Sequence, residues 1–107
     1  MKDDILNVLK DPRDKLIAVD MDGVLCSGRF WTDEECSPIQ SGIDLVWKLF
    51  IGGAHIIIHT ARQPQYYAKT LAWLIAHNVP FHGIAMFVKP GADAYIDDRS
   101  LNIDDAL

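Results

Sequence analysis

The stretch Leu16-Ile17-Ala18-Val19-Asp20-Met21-Asp22-Gly23 places two carboxylates at the end of an apolar run. A run of this kind predicts a buried parallel β-strand, and Gly23 then turns the chain. Because side chains alternate along a strand, we expect Asp20 and Asp22 on one side of its carboxyl end. Ligands of open α/β sheets bind at that edge. One carboxylate there can attack or hold a metal while the other transfers a proton.

Length and composition predict one domain, residues 1–107, with half of its residues hydrophobic and 23% charged. The net charge of −5 argues against binding to nucleic acid, whose phosphates require clustered Lys and Arg. We find no signal peptide and no apolar run near the roughly 20 residues of a membrane helix. Cys26 and Cys36 do not form a disulfide framework. Together these features predict a cytoplasmic protein with no membrane partner.

The first half of the chain predicts an N-terminal helix at about residues 3–11 and a flap at about 24–36. A second helix follows, with Ser37 as its N-cap and Pro38 at the first helical position. Gly52-Gly53 closes that helix. Its apolar stripe consists of Ile39, Ile43, Val46, Trp47 and Phe50.

The second half predicts a strand at 54–60, a helix from about Gln65 to His77, and strands at 84–88 and 94–96. Asn78 and Pro80 stop the helix, and its inward positions are Tyr67, Leu71, Leu74 and Ile75. The order β-α-β-α-β-β, with strands that read as buried, predicts an α/β fold of three layers around a small, mostly parallel sheet.

Chemically active side chains follow all four predicted strands. Asp20 and Asp22, Thr60, and the pair Asp97-Asp98 stand at the ends of three strands, and Lys89 comes just after the remaining one. Since the carboxyl ends of parallel strands meet at one edge, we expect these groups to converge there.

Four segments, at 20–25, 56–60, 89–90 and 95–98, resemble the four motifs of the haloacid dehalogenase-like (HAD) hydrolases, in the family's order. The resemblance spans Leu16 to Arg99 and implies a Rossmann-like three-layer α/β/α core. The closing run at 89–99 also resembles small phosphatases associated with capsule and surface-sugar biosynthesis.

The resemblance implies a role for each motif residue. Asp20 is the nucleophile that forms an aspartyl-phosphate, and Asp22 protonates the leaving oxygen and later activates water. Thr60 donates its hydroxyl to the phosphoryl group, and Lys89 balances charge. Mg²⁺ lies between Asp20, the backbone carbonyl of Asp22 and the pair Asp97-Asp98.

Physical chemistry favours the same roles. An anionic nucleophile and an anionic phosphate repel each other unless a hard cation and an ammonium group intervene, so Asp20 requires Mg²⁺ and Lys89. Asp22 requires different surroundings, because an acid must hold its proton when the leaving group departs.

Gly23 and Arg62 are further candidates for substrate contact, although Arg62 equally fits an ordinary surface arginine. Cys26 fits a packing thiol, since nothing near it in sequence predicts activation. Phe30 and Trp31 fit a substrate groove or an interface.

Zinc is disfavoured. His55 and His59 share one face of their strand, and Cys26 or Cys36 could join them as zinc ligands. The chain nevertheless lacks the ligand spacing of known zinc motifs.

Neither intermotif gap accommodates a cap domain. The 37 residues between Asp22 and Thr60 and the 28 between Thr60 and Lys89 are filled by the predicted elements. Such an open site requires either a bulky substrate or a neighbouring subunit in a homo-oligomer to close it.

The sequence thus predicts a Mg²⁺-dependent phosphomonoester hydrolase acting on a phosphorylated small molecule, with a sugar phosphate preferred. Two alternatives remain: a phosphate- or nucleotide-binding regulatory module with little turnover, and a phosphotransferase that uses Asp20. A receiver domain is disfavoured because it would place the acidic pair on the first strand. A polynucleotide end-phosphatase is disfavoured by the acidic charge.

Overall fold

A computed structural model of the protein describes residues 7–27, 36–88 and 90–97. Residues 7–10 form the end of a first helix, α1. The further elements in chain order are β1 (Leu16–Asp20), β2 (Cys26–Ser27), β3 (Ser37–Pro38), α2 (Gln40–Ile51), β4 (His55–Thr60), α3 (Tyr67–Ala76), β5 (Gly83–Met86) and β6 (Ala94–Ile96). A single 3₁₀ turn at Pro64–Tyr66 leads into α3.

The four longer strands form one parallel sheet in the order β5-β4-β1-β6. In its register Asp20 lies beside His59, and Val19 lies beside Ile96. The connections through α2 and α3 are crossovers between parallel neighbours, as the sequence pattern requires. The predicted α/β class and its small parallel sheet are confirmed: the chain has a small Rossmann-like α/β fold.

A hydrogen bond joins α2 to the turn that follows α3. The indole Nε1 of Trp47 in α2 donates to the backbone carbonyl of Asn78, just after α3, at 2.8 Å. Right-handed crossovers place both helices on the same face of the sheet. Ile17 and Val19 of β1 and Ile56 and Ile58 of β4 are fully buried, and they form the centre of the core.

The strand β4 is not buried on both faces. Ile56, Ile58 and Thr60 are buried, whereas His55 is exposed and Ile57 and His59 are half-buried. This alternation differs from the continuously buried strand that its apolar sequence predicts. The reason is that a run of isoleucines satisfies either environment, so composition alone does not report which face is covered.

The start of α2 differs from the prediction. Ser37 and Pro38 form β3, which pairs antiparallel with β2, so they are not the N-cap and first residue of the helix. Ile39 occupies the N-cap position without a side-chain cap, and its N–H donates to the carbonyl of Leu25 at 2.8 Å. The Ser-Pro signal was outweighed by this pairing, because proline is also tolerated in a short edge strand.

The predicted flap is an antiparallel hairpin at its base, formed by β2 and β3. Its residues 28–35, and residues 3–6 of the predicted N-terminal helix, lie outside the described residues. Within the described ranges no helix is long and apolar enough to cross a membrane.

The inward face of α3 is partly different from the prediction. Leu74 is buried as expected, but Tyr67 is 49% and Ile75 65% exposed. Thr70 is buried in their place. Asn78 ends the helix as predicted and adopts a left-handed φ of 57°, a conformation that Asn tolerates better than most residues.

Candidate active site

The loop after β1 is a tight turn held by its own backbone. The amides of Leu25 and Cys26 donate to the carbonyl of Met21, and the amide of Gly23 donates to the carbonyl of Cys26 at 2.8 Å. Gly23 has a φ of 95°, a conformation that side-chain-bearing residues rarely adopt. The turn therefore fixes the backbone on both sides of Asp22.

The Asp22 carboxylate lies at the centre of a polar cluster. Its Oδ1 accepts from Arg62 Nη2 at 2.9 Å, and its Oδ2 accepts from Arg62 Nε at 3.3 Å. Thr60 Oγ1 lies 3.3 Å from Oδ2, and the Cys26 thiol lies 3.4 Å from Oδ1. Cys36 Sγ is at 4.0 Å from the same oxygen. One carboxylate thus joins the loop after β1, the end of β4 and the hairpin.

Arg62 is only 3% exposed, so it is not the surface arginine that the sequence allowed. Burial by itself lowers the pKa of Arg62, but the hydrogen bond and charge of Asp22 outweigh this effect. The pKa of Arg62 is therefore raised above its usual value. The guanidinium is a permanent buried cation with Asp22 as its counterion.

The two cysteines contribute thiols, not a disulfide, to this cluster. Burial, a hydrogen bond with Cys36 and the charge of Asp22 all raise the pKa of Cys26 far above its ordinary value. A thiol with a raised pKa carries little thiolate and is a poor nucleophile. The prediction that Cys26 is a packing thiol agrees with these surroundings.

Asp22, Cys26 and Cys36 also present three ligand-type atoms within 4.8 Å of one another. Arg62 Nη2 lies 2.9 Å from the Asp22 oxygen, 3.3 Å from Cys36 Sγ and 3.7 Å from Cys26 Sγ. A guanidinium nitrogen thus takes the position that a cation would need. Neither His55 nor His59 belongs to this group.

Asp20 lies in a different place from Asp22. A cavity of about 80 Å³ is lined by Ala18, Asp20, His59, Tyr95, Ile96 and Asp97. Asp20 and Asp97 therefore face the same small space, as expected for residues at the carboxyl ends of the neighbouring strands β1 and β6.

The two aspartates are separated because β1 ends at Asp20, so the alternation that predicted both carboxylates on one side does not reach Asp22. Asp22 contacts Thr60, whereas Asp20 shares its cavity with His59. Thr60 and His59 are consecutive in β4 and point to opposite faces of the sheet.

Of the residues expected at the edge, Asp22, Thr60 and Arg62 are in direct contact, and Asp20 and Asp97 share a cavity. Lys89, Asp98, Phe30 and Trp31 lie outside the described residues.

Two cluster members were missed from the sequence. The sequence places Cys36 in the flap and suggests only a disfavoured zinc role for it. Thr70 is not singled out there, yet its hydroxyl accepts from Arg62 Nη1 at 3.3 Å. A signal for Thr70 existed, because it stands one helical turn before buried Leu74 and is thus a polar residue on the inward face of α3.

The fold is similar to that of two proteins with solved structures. A conserved protein from Bacteroides thetaiotaomicron superposes with a TM-score of 0.67 at 21% identity, over 83% of this chain and 79% of that chain. A target protein from Vibrio cholerae superposes with a TM-score of 0.60 at 26% identity, over 86% of each chain. The likeness to these two proteins is one of fold. No protein-family model and no curated protein matches the sequence.

Proposed function

We propose that this chain is a Mg²⁺-dependent phosphomonoester hydrolase that works through an aspartyl-phosphate on Asp20, as its resemblance to the HAD hydrolases implies. The observation that carries the proposal is the shared cavity of Asp20 and Asp97 at the carboxyl edge of the sheet. Thr60 and Asp22 contact each other at the same edge of the sheet, outside this cavity, and are the further groups that the resemblance assigns to the reaction. Two carboxylates in one cavity can hold a cation beside a nucleophile, which phosphoryl transfer requires.

The donor set at the cavity fits magnesium. Asp20 and Asp97 offer carboxylate oxygens, which are the hard ligands that Mg²⁺ prefers. By the resemblance, the backbone carbonyl of Asp22 and the carboxylate of Asp98 complete the set. A bound Mg²⁺ supplies charge neutralisation between the nucleophile and the phosphate. The Asp22–Cys26–Cys36 group does not fit Mg²⁺, because it offers sulfur and already surrounds a guanidinium.

In the first step an oxygen of Asp20 donates an electron pair to phosphorus, and the bond from phosphorus to the ester oxygen breaks. The leaving oxygen takes a proton from the Asp22 carboxyl group. Asp22 is ion-paired with Arg62. Its carboxyl group must carry a proton at this step, and its attraction to Arg62 is weaker when it does.

In the second step water attacks phosphorus, and Asp22 accepts the proton that the water loses. The bond between phosphorus and Asp20 breaks, which releases inorganic phosphate and regenerates the free carboxylate. Asp22 acts here as a carboxylate, the form that pairs with Arg62. Lys89 balances the charge of the phosphate by the resemblance.

A small phosphorylated molecule, with a sugar phosphate preferred, is the substrate class we favour. The net charge of −5 disfavours nucleic acid. Between Asp22 and Thr60 the described residues form only the hairpin, α2 and β4, with no cap domain among them. Water therefore reaches the site, and hydrolysis is favoured over transfer of the phosphoryl group to another acceptor.

The test is hydrolysis of p-nitrophenyl phosphate with Mg²⁺ and with EDTA, by the wild type and Asp20→Asn. We expect Mg²⁺-dependent turnover and a loss of at least about 10³-fold in kcat in Asp20→Asn. Asp44→Asn is the matched control, since this exposed aspartate of α2 bonds Gln40 and lies away from the cavity. Its kcat should be unchanged.

Turnover that is equal in the wild type and Asp20→Asn would remove Asp20 as the nucleophile and overturn the proposal. No turnover of any sugar phosphate, nucleotide or aryl phosphate in Mg²⁺ would favour the binding-module alternative. Formation of a phosphorylated product from an added alcohol, in place of phosphate, would favour the phosphotransferase.

A further inference from the structure

The Arg62 side chain is buried and is held by hydrogen bonds to several parts of the protein. It lies two residues after the end of β4, it is 3% exposed, and its guanidinium contacts groups from three parts of the fold. These are the loop after β1 through Asp22, the hairpin through Cys36, and α3 through Thr70.

The contact with Asp22 is a fork. Nε and Nη2 of Arg62 address Oδ2 and Oδ1 of the carboxylate separately, at 3.3 and 2.9 Å. Two donors in a plane fix the rotation of a carboxylate, which a single ammonium group cannot do.

Arg62 also orients Thr60. Its backbone N–H donates to Thr60 Oγ1 at 3.1 Å, so the Thr60 hydroxyl accepts on that side. While Asp22 is a carboxylate, the hydroxyl proton is directed toward its Oδ2, at 3.3 Å. Donation by Thr60 to the phosphoryl group requires that Asp22 carry a proton, as the first step does. One residue thus sets the geometry of two groups to which the proposed reaction assigns chemistry.

The guanidinium nitrogens of Arg62 are all engaged within the protein. Nε and Nη2 donate to Asp22. The third nitrogen is directed to Thr70 Oγ1 in α3, at 3.3 Å. A buried guanidinium engaged in this way is directed at protein groups, of which Asp22 and Thr60 belong to the proposed reaction.

From this geometry we infer that Arg62 is a positioning residue, which holds Asp22 and Thr60 in the orientation required for proton and phosphoryl transfer and makes no contact with the substrate. The inference rests on the proposed hydrolase function. It replaces the alternative in which Arg62 binds the phosphate.

The experiment compares kcat and KM of the wild type with Arg62→Met and Arg62→Lys, using p-nitrophenyl phosphate and Mg²⁺. We expect kcat of Arg62→Met to fall about 10²-fold with KM within threefold, because misplacement of a catalytic group by about 1 Å costs a factor of this size. Arg62→Lys keeps the charge but loses the fork, and it should recover about tenfold of the loss. Arg13→Met, at an arginine whose side chain is 75% exposed, is the control and should leave both constants unchanged.

A rise in KM at unchanged kcat would show that Arg62 binds the substrate, and unchanged constants would show that it has no role; either result overturns the inference. If the wild type itself has no Mg²⁺-dependent turnover above Asp20→Asn, the proposed function fails and the inference fails with it. That outcome is distinguishable, because the other two require an active wild type.

Thr70→Val provides a second variant in case Arg62→Met does not fold. It removes the hydroxyl that accepts the hydrogen bond from Arg62 Nη1, and it preserves the shape of the side chain. We expect about a threefold decrease in kcat at unchanged KM, since the guanidinium loses one of its supports. An unchanged kcat in Thr70→Val, or a changed KM, would contradict the inference.

Discussion

At the scale of single residues, the surroundings of Cys26 decide the chemistry of its thiol. The side chain is fully buried between the Asp22 carboxylate and the Cys36 thiol. A negative charge would be disfavoured there both by desolvation and by repulsion from Asp22.

We therefore expect Cys26 to react slowly with iodoacetamide. At pH 8 the native protein should be alkylated at Cys26 at least about 100-fold more slowly than the chain unfolded in urea, since only the thiolate reacts. Mass spectrometry of tryptic peptides over time measures both rates. Equal rates would show that the thiol is not held in its neutral form.

The same raised pKa predicts sensitivity to alkali. The ordinary pKa of the thiol is about 9. Above this pH the unfolded chain releases the Cys26 proton while the folded protein keeps it. The free energy of unfolding should then fall as pH rises, by at most about 1.4 kcal/mol per pH unit, and be unaffected below this range. Urea unfolding of the wild type and of Cys26→Ala at pH 7 and pH 10 gives the difference between their free energies of unfolding. The change in that difference with pH isolates the contribution of Cys26 from those of other titrating groups. A difference that does not change with pH would contradict it.

At the scale of elements, α2 approaches the loop after β1 through Gly42. A Cβ placed on Gly42 would lie 1.8 Å from the backbone oxygen of Val24. This close approach holds the turn that carries Asp22 against the helix, and a side chain would force the two apart.

We expect Gly42→Ala to destabilise the protein by about 3 kcal/mol, although alanine favours a helix by about 1 kcal/mol over glycine. The steric overlap with a backbone atom outweighs the helical preference. Urea unfolding monitored by circular dichroism tests this expectation. Ser41→Ala, one residue earlier in α2, is the control and should change stability by less than about 0.5 kcal/mol. A Gly42→Ala protein that is as stable as the wild type would show that α2 lies farther from Val24.

The His82 side chain provides a hydrogen-bond acceptor for β4 just before β5 begins. The N–H of Ile56 donates to Nδ1 of His82 at 2.9 Å, and the N–H of His82 donates to the carbonyl of Ile56 at 2.8 Å. The imidazole thus extends the ladder by one hydrogen bond beyond Gly83, where β5 starts.

We expect His82→Leu to lower the free energy of unfolding by about 1–2 kcal/mol, because it leaves the N–H of buried Ile56 without its acceptor. His82→Asn is the matched variant, since its side-chain oxygen can accept the same hydrogen bond, and it should lose less. Urea unfolding at pH 7 compares the two. Equal stability of both variants and the wild type would contradict the role of the imidazole.

At the scale of the whole molecule, the open carboxyl edge of the sheet is the feature that bears on assembly. Phe87 and Val88, directly after β5, are 65% and 67% exposed. The amide of Phe87 donates to the carbonyl of Thr60 at 2.8 Å, which places this apolar pair beside the site. A homo-oligomer that completes the site stays a prediction from the sequence.

If neighbouring copies complete the site, analytical ultracentrifugation should give a mass that is a multiple of the 12.0 kDa chain. Activity per chain should also fall on dilution, as the copies separate. A single species of 12.0 kDa with activity independent of concentration would contradict the prediction.

The sequence by itself determined the α/β class and the parallel sheet, because apolar runs of β-branched residues alternate with helical stripes. It also determined that Asp20, Thr60 and Asp97 stand at strand ends, since that position follows from where each apolar run stops. The roles proposed for these residues come from the resemblance to the HAD hydrolases. Helix ends and faces did not follow from the sequence: Ser37-Pro38 suits a cap or an edge strand, and Ile75 has no sequence mark of its exposure.

Only the tertiary structure decided the surroundings of each side chain. It separated Asp20 from Asp22, because β1 ends between them, and it brought Arg62, Thr70 and Cys36 around Asp22 from three different elements. Contacts of this kind join residues up to 40 positions apart, so no local periodicity can report them. The physical reason is that a buried charge finds its counterion through the packing of the whole fold.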